Sequence, residues 1–437
     1  ERTFRRKKDA EELSCGFEAY DKIDKLVEFI NPKEFKLLID EYHNFLKQYS
    51  FRNKAIDGVL AHFKEFRSYC FISATPIPEV LKPTIFNGIP EHIADWNEVD
   101  DITIYPYHTD KPYMIAAQFI KVYQTKGFLN VNGKESKEAY FFINSVREIK
   151  DILKQTQLTE DDYRIICADN DKNRMTLKGY TISSSTDTSK KFNFITSKSF
   201  EGVDFHSESG ICFVVSNVQN RHTLVSIDMD IPQIAGRIRT KTNPFRNKIV
   251  HIFNTKPTDH YTTYEEMEHT IQDEIKAAQE RADLLNSSNL SESAIKQQVS
   301  EIHKIGNESY LSYQDGKFVV NDMIGKLQLY SFLITNVVYN SDKSLRDTYE
   351  QNKMIVTKGK WHIAPERFVK DLIKEPTFRD LHKRYCEIMK NPMTFNLETI
   401  EIEHKYPILG RAYRKVGIQE LKRLRTIKSI KLALGEI

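Results

Sequence analysis

The stretch "LLIDEYHNFL", residues 37–46, decides how the chain reads. Leu37, Leu38 and Ile39 are apolar, and the run stops at two adjacent carboxylates, Asp40 and Glu41, with His43 just beyond. A short apolar run cut off by charge predicts a strand, "FKLLID" (35–40). A second such run, "YCFISAT" (69–75), follows a segment of helical composition. Strand, helix, strand at this separation predicts a βαβ unit with a parallel sheet. Carboxylates at the C-terminal end of a parallel strand stand where open α/β sheets bind ligands. Taken alone, acids at a strand end are more often solvated turn residues, so the remaining motifs carry the decision.

Upstream, "ERTFRRKKDAEE" (1–12) is charged and predicts a surface arm. In "YDKIDKLVEFINP", Ile23, Leu26, Val27 and Ile30 fall at helical spacing that stops near Pro32. Downstream, residues 80–100 carry Pro83, Gly88, Pro90 and an acidic cluster and read as a linker. The α/β alternation then restarts over 101–256. "DITIYPY", "EAYFFINSV", "DYRIICA", "FNFITSK", "GICFVVS" and "NKIVHIFNT" predict strands. "YMIAAQFIKVYQTKG", closed by Gly127, and "REIKDILKQT" predict helices. After Thr255 the character changes. "YEEMEHTIQDEIKAAQERADLL" predicts a long charged helix, "YLSYQDGKFVVND" a hairpin turning at Asp315–Gly316, and the remainder is mostly helical. No internal repeat or low-complexity tract occurs.

At 437 residues the chain is too long for a single core. It is 40% hydrophobic and 29% charged, an ordinary globular composition. A net charge of +3 leaves no global field for a polyanion, so any basic surface is local. Cys15, Cys70, Cys167, Cys212 and Cys386 form no C-x-x-C pair, which argues against a disulfide framework or a cysteine zinc site and fits a reducing, cytoplasmic setting. No apolar run approaches the roughly 18–20 residues of a membrane span, and no signal-peptide pattern opens the chain. The histidines form no H-E-x-x-H set, and no structural metal is expected.

Further short blocks follow the acidic stretch in a fixed order: "SAT" (73–75), "FFINSV" (141–146), "TSKSFEGVDF" (196–205) and "QIAGRIRT" (233–240). With "LLIDEYH" they resemble motifs II to VI of the superfamily 2 helicases of the DExH type. The likeness covers roughly residues 15–256. Within that superfamily, "RHTLVSIDMDIPQIAGRIR" (221–239) is most similar to viral and phage replication helicases of the origin-binding-protein type.

The resemblance implies an α/β protein with two RecA-like parallel-sheet domains and a mostly helical C-terminal domain. Residues 1–86 would be the C-terminal part of the first domain, 87–100 a linker, 101–256 the second domain, and 257–437 an accessory domain with a basic tail. It implies ATP and Mg²⁺ as cofactors. Asp40 would contact the Mg²⁺–ATP complex, and Glu41, its partner at the metal, would orient the attacking water. His43 would couple the site to motif VI through Gln233. Ser73 and Thr75 would link the nucleotide state to domain movement. Gly202 and Asp204 would approach the nucleotide from the second domain, and Arg237 and Arg239 would be arginine fingers. The partner implied is nucleic acid, DNA favoured over RNA, in phage or mobile-element replication, with a phage or replication protein as a further partner.

Two departures stand out. The family's phosphate-binding loop, G-x-x-x-x-G-K-[ST], occurs nowhere. "NGKES" (132–136) lies after motif II and lacks the leading glycine, and "IGKLQ" and "DGKFV" lack the following Ser or Thr. Either the chain is part of a longer ATPase, the reading that intact Asp40, Glu41 and both arginines favour, or it is a helicase relative that no longer hydrolyses ATP and serves as a scaffold or structural binding protein, for example in a phage particle. On both readings this polypeptide alone is expected to turn over little ATP. The second departure is the arginine spacing, G-R-x-R with Thr240 following, where many members have G-R-x-x-R; Arg237 is the firmer finger.

Strand contacts in this family are mainly to phosphates. Asn144 and Ser145 in motif IV and Lys198 and Ser199 in motif V are the candidates, weighed against Lys198 being an ordinary solvated lysine. Residues 405–431 are basic, with Lys422, Arg423 and Arg425 singled out as nucleic-acid contacts. Ile418, Leu421, Leu424, Ile427, Ile430 and Leu434 recur at helical spacing and predict an amphipathic basic helix, whose apolar stripe serves equally well to pack on its own domain.

Overall fold

The computed structural model describes residues 23–94, 100–200, 203–257, 262–305, 309–314, 316–358, 378–390, 399, 402–403 and 405–436. Its contacts divide the chain into two compact units, Glu1–Trp361 and His362–Ile437. The stretch 257–437, expected as one accessory domain, is therefore shared between them.

The first unit opens with a small parallel lobe. β1 (Lys36–Asp40) pairs with β2 (Ser68–Ile72) in parallel, from Lys36↔Ser68 to Asp40↔Ile72, and the helix Tyr49–His62 connects them. Two strands make a sheet too small to stand alone. An aromatic cluster takes up the load: Phe63 and Phe86 meet Phe71 at 5.2 and 5.0 Å, edge to face, and Tyr42 reaches Phe86 at 5.7 Å. Such pairs add roughly 0.5–1.5 kcal/mol each beyond area burial. The same core takes in Met229 from the second lobe and Ile271, Met323, Ile324 and Leu329 from helices far along the chain. Leu81 and Phe86 are buried in it too.

The second lobe carries β3 (Thr103–His108), a small hairpin of β4 (Leu129–Val131) and β5 (Lys134–Ser136), then β6 (Glu138–Phe142), β7 (Tyr163–Ile166), β8 (Phe192–Ile195), β9 (Gly210–Ser216) and β10 (Lys248–Phe253). A second hairpin, β11 (Leu311–Gln314) and β12 (Lys317–Val320), precedes β13 (Ile355–Val356). Seven of these form one sheet in the order β13-β3-β10-β9-β6-β8-β7, every pair parallel. Parallel strands are covered on both faces and read as continuous apolar runs, and every residue of β9 is buried. The helices obey local rules. Pro112–Lys126 starts on a proline and stops at Gly127, whose φ of 82° suits glycine. Val146–Thr156 starts at Ser145, whose Oγ accepts the Glu148 N–H.

The rest of this unit packs back on both lobes. The helix Tyr264–Ser287 begins with a capping box between Thr263 and Glu266, and Glu292–Ile305, Met323–Phe332 and Asp342–Gln351 follow. Tyr339, Leu345, Tyr349 and Met354 lie in the core of the large sheet, and β13 adds a strand to its edge, which the sequence reading did not foresee.

The second unit contains the helices Phe378–Ile388, Pro407–Leu421 and Ile427–Leu434 around Tyr385, Cys386, Ile402, Leu409, Leu421 and Ile430. The single amphipathic basic helix expected over 418–434 is corrected here. The backbone breaks at Gly417, where φ is 73° and ψ 173°. It breaks again at Thr426, which is extended and caps the last helix by accepting the Ser429 N–H. The apolar stripe packs into this unit's own core through Leu421 and Ile430.

Candidate functional site

β1 delivers Asp40 to its C-terminal end, and the chain then turns through Glu41 at φ 52°, a left-handed conformation unusual for a residue with a side chain. Two bonds hold the turn: the Glu41 N–H donates to Asp40 Oδ1 at 2.9 Å, and the Tyr42 N–H to the Ile72 carbonyl at 3.2 Å. The turn sends His43 into the interior, fully buried. There its Nδ1 lies 2.7 Å from Ser73 Oγ and 3.2 Å from Glu41 Oε2. Ser73 Oγ also accepts the Thr75 N–H at 3.0 Å. Residues 40–43 and 73–75 thus form one hydrogen-bonded group at the ends of two neighbouring parallel strands.

The other half comes from the short helix Asp230–Ala235 and the turn behind it. Gln233 is the joint. Its Nε2 donates to Glu41 Oε2 at 3.3 Å and to Thr75 Oγ1 at 3.2 Å, across the two lobes. Its backbone carbonyl accepts Arg237 Nε at 2.8 Å, and its side-chain oxygen accepts Arg237 Nη2 at 3.2 Å. Asp204 accepts Arg239 Nε at 2.7 Å and lies 3.9 Å from Arg237 Nη1. Backbone bonds fix this register: the Phe205 N–H donates to the Arg237 carbonyl at 2.8 Å, and the Arg239 N–H to the Phe205 carbonyl at 2.9 Å. Gln233 and Arg237 are buried at 4% and 7% exposure, while Asp204 and Arg239 are half open to solvent. The nearby Cys212 thiol is pushed up to about 12 by burial, against the pull of Arg237. It is a core residue rather than a nucleophile.

The structure therefore gathers Asp40, Glu41, His43, Ser73, Thr75, Gln233, Arg237, Arg239 and Asp204 into one network. Gly202 lies outside the described residues. Of the nucleic-acid candidates, Asn144 is committed internally: its Nδ2 donates to the His222 carbonyl at 2.7 Å and its Oδ1 accepts from Ser197 Oγ at 2.7 Å. Ser145 caps a helix, Ser199 is buried, and Lys198 is exposed. Lys422, Arg423 and Arg425 lie in the second unit, where Arg423 pairs with Glu420 at 3.3 Å.

One cross-lobe contact escaped the sequence reading. Lys47 Nζ meets Asp230 Oδ1 at 2.5 Å, with side chains only 14% and 8% exposed. Asp230 Oδ2 also accepts the Ser226 N–H at 2.7 Å. The signal was spacing: Lys47 is four residues after His43, and Asp230 three before Gln233, both about one helical turn from a residue of the network.

The donor set fits a magnesium–triphosphate. Asp40 and Glu41 are hard oxygen donors, and two guanidiniums suited to phosphate oxygens lie in the same network. Among the described residues no group of three or more His, Cys, Asp or Glu is placed to hold a metal. A Mg²⁺ held by one or two carboxylates together with phosphate oxygens needs none.

No protein-family model and no curated protein matches the chain. Among solved structures, the chain is similar to a DEAD box protein from the hyperthermophile Methanococcus jannaschii, at 14% identity and a TM-score of 0.20. The match covers 58% of this chain and 61% of that one, so it spans less than two thirds of the solved protein.

Proposed function

We propose that this chain supplies the catalytic carboxylates and arginine fingers of an ATP-dependent nucleic-acid helicase or translocase of superfamily 2, acting on DNA. The carrying observation is Gln233, whose amide bonds both Glu41 and Thr75 across the lobes while its carbonyl holds Arg237. Acid and guanidinium groups from different lobes, joined by one amide, suit a site that closes on a polyanion between them. Mg²⁺, when bound with ATP, neutralises charge on the phosphates. Asp40 holds that complex, and Glu41 orients the attacking water, with His43 and Ser73 fixing its carboxylate. Arg237 and Arg239 place positive charge where it develops, a contribution typically worth 10³–10⁵ in rate. Thr75 and Gln233 pass the state of the site from one lobe to the other.

The test is nucleic-acid-stimulated ATP hydrolysis by a polypeptide carrying both this chain and a phosphate-binding loop. Glu41→Gln is expected to abolish turnover, and Arg237→Ala to lower kcat by about 10³ or more. Activity surviving Glu41→Gln removes the water-orienting role. The 437-residue chain assayed alone is expected to turn over little ATP. Nucleic-acid binding without turnover in every polypeptide tested supports the second reading, a non-hydrolysing helicase-like binding protein.

A further inference from the structure

The second unit carries a charge imbalance that its own fold does not use. Residues 402–436 contain nine lysines and arginines against three glutamates. Each glutamate already has an arginine: Glu436 with Arg411 at 3.1 Å, Glu403 with Arg414 at 3.8 Å, and Glu420 with Arg423 at 3.3 Å. Lys422, Arg425, Lys428 and Lys431 form no ion pair among the described residues. They cluster on the turn 422–426 and on the helix Ile427–Leu434 that follows it. Leu421, just before that turn, and Ile430 on the helix are fully buried, which anchors both elements to the core. Lys428 and Lys431, one turn apart, share the face opposite Ile430. Leu432, 67% exposed, sits on that same face, and Thr426, Lys428, Ser429 and Leu432 line a hollow there.

We infer that this turn and helix form a docking surface for duplex DNA. The inference rests on the nucleic-acid reading above and names the form of nucleic acid this unit takes. Four cations without an ion-pair partner among the described residues, on elements anchored by Leu421 and Ile430, suit the regular phosphates of a duplex. An exposed leucine flanked by lysines suits the base edges of a wide major groove, which duplex RNA does not offer. Single strands are held by aromatic stacking, and among the described residues of this unit no aromatic side chain is exposed.

The experiment uses the whole chain without nucleotide, and measures binding to a labelled duplex DNA, a single strand of the same sequence and a duplex RNA over a range of salt. Changing Lys422, Arg425, Lys428 and Lys431 together to Gln is expected to flatten the log–log salt slope on duplex DNA by about 3.6, at roughly 0.9 per phosphate contact. Affinity for the single strand changes little. A variant with Lys422, Lys428 and Lys431 changed to Arg keeps the wild-type slope. If the fourfold variant misfolds by circular dichroism, Lys428→Gln with Lys431→Gln is read instead, with an expected change of about 1.8. An unchanged slope on duplex DNA overturns the proposal, and so does a loss confined to single strands or duplex RNA. This binding is read without nucleotide and does not depend on ATP hydrolysis, so failure of the ATPase reading and failure of this surface are separable.

Discussion

Glu41 occupies the left-handed region at φ 52°, which costs a residue with a side chain roughly 1–2 kcal/mol. Strain of this kind persists where neighbours over-determine it. Here the Asp40 carboxylate, the Ile72 carbonyl and the buried His43 do so. Elsewhere, His251 lies fully buried in the large sheet, bonded to Tyr349 Oη and to Ser216 Oγ at 3.0 Å. Burial lowers its pKa to about 3, against an unfolded value of about 6.5. Between these values the unfolded chain takes up a proton that the folded one excludes. The stability this neutral imidazole supports is complete above about pH 6.5 and is lost as pH falls toward 3. His251→Gln is expected to flatten the fall of Tm between pH 6.5 and 5, where ordinary carboxylates titrate little. A wild-type slope in that variant rules the group out. Arg164 is the residue least legible from sequence. It sits at 1% exposure in an otherwise apolar strand, bonded to Asn193 at 3.0 Å and lying over the Phe205 ring at 5.6 Å. A strand pattern cannot announce a cation whose partners lie on other segments.

Among elements, the helix Asp230–Ala235 does the most for its length. It carries Gln233 to the acidic half-site and Asp230 to Lys47. The two contacts differ in kind, since the amide touches the proposed reaction centre and the ion pair does not. A double-mutant cycle of Lys47→Ala and Asp230→Asn is expected to give a coupling of about 0.5–3 kcal/mol in denaturant melts. Asp230→Asn is chosen because an amide oxygen still accepts the Ser226 N–H. Additive losses mean the pair is decorative. The strands of both lobes were legible because covered parallel strands are continuous apolar runs, and β6, β8, β9 and β10 lie where those runs fall. The basic tail was misjudged as one helix. Its apolar period, from Ile418 to Leu434, passes through Thr426 without a gap, and period alone does not register a cap.

At the scale of the first unit, both lobes depend on residues beyond 256. Ile271, Met323, Ile324 and Leu329 complete the core under β1 and β2, and Tyr339, Leu345, Tyr349 and Met354 complete the one beside the large sheet. Burying a large apolar side chain is worth about 1.5–3 kcal/mol, so losing these residues removes an amount comparable with or larger than the usual margin of about 5–15 kcal/mol. A chain ending at residue 256 is expected to lack a cooperative thermal transition, whereas one ending at residue 358 keeps it. A sharp transition in the shorter chain shows that the lobes are self-sufficient.

Read alone, the sequence announces most of the strands and helices, the acidic pair at the end of β1 and the arginines after Gln233. These follow from apolar period, caps and motif order, all properties of near neighbours along the chain. Three-dimensional packing alone makes Glu41, Thr75 and Arg237 share one glutamine, sets Lys47 against Asp230, and lets residues from 264–356 finish two cores. Those contacts join segments far apart in the chain. They are selected by shape and by the need to pair buried polar groups, and local composition carries no record of either.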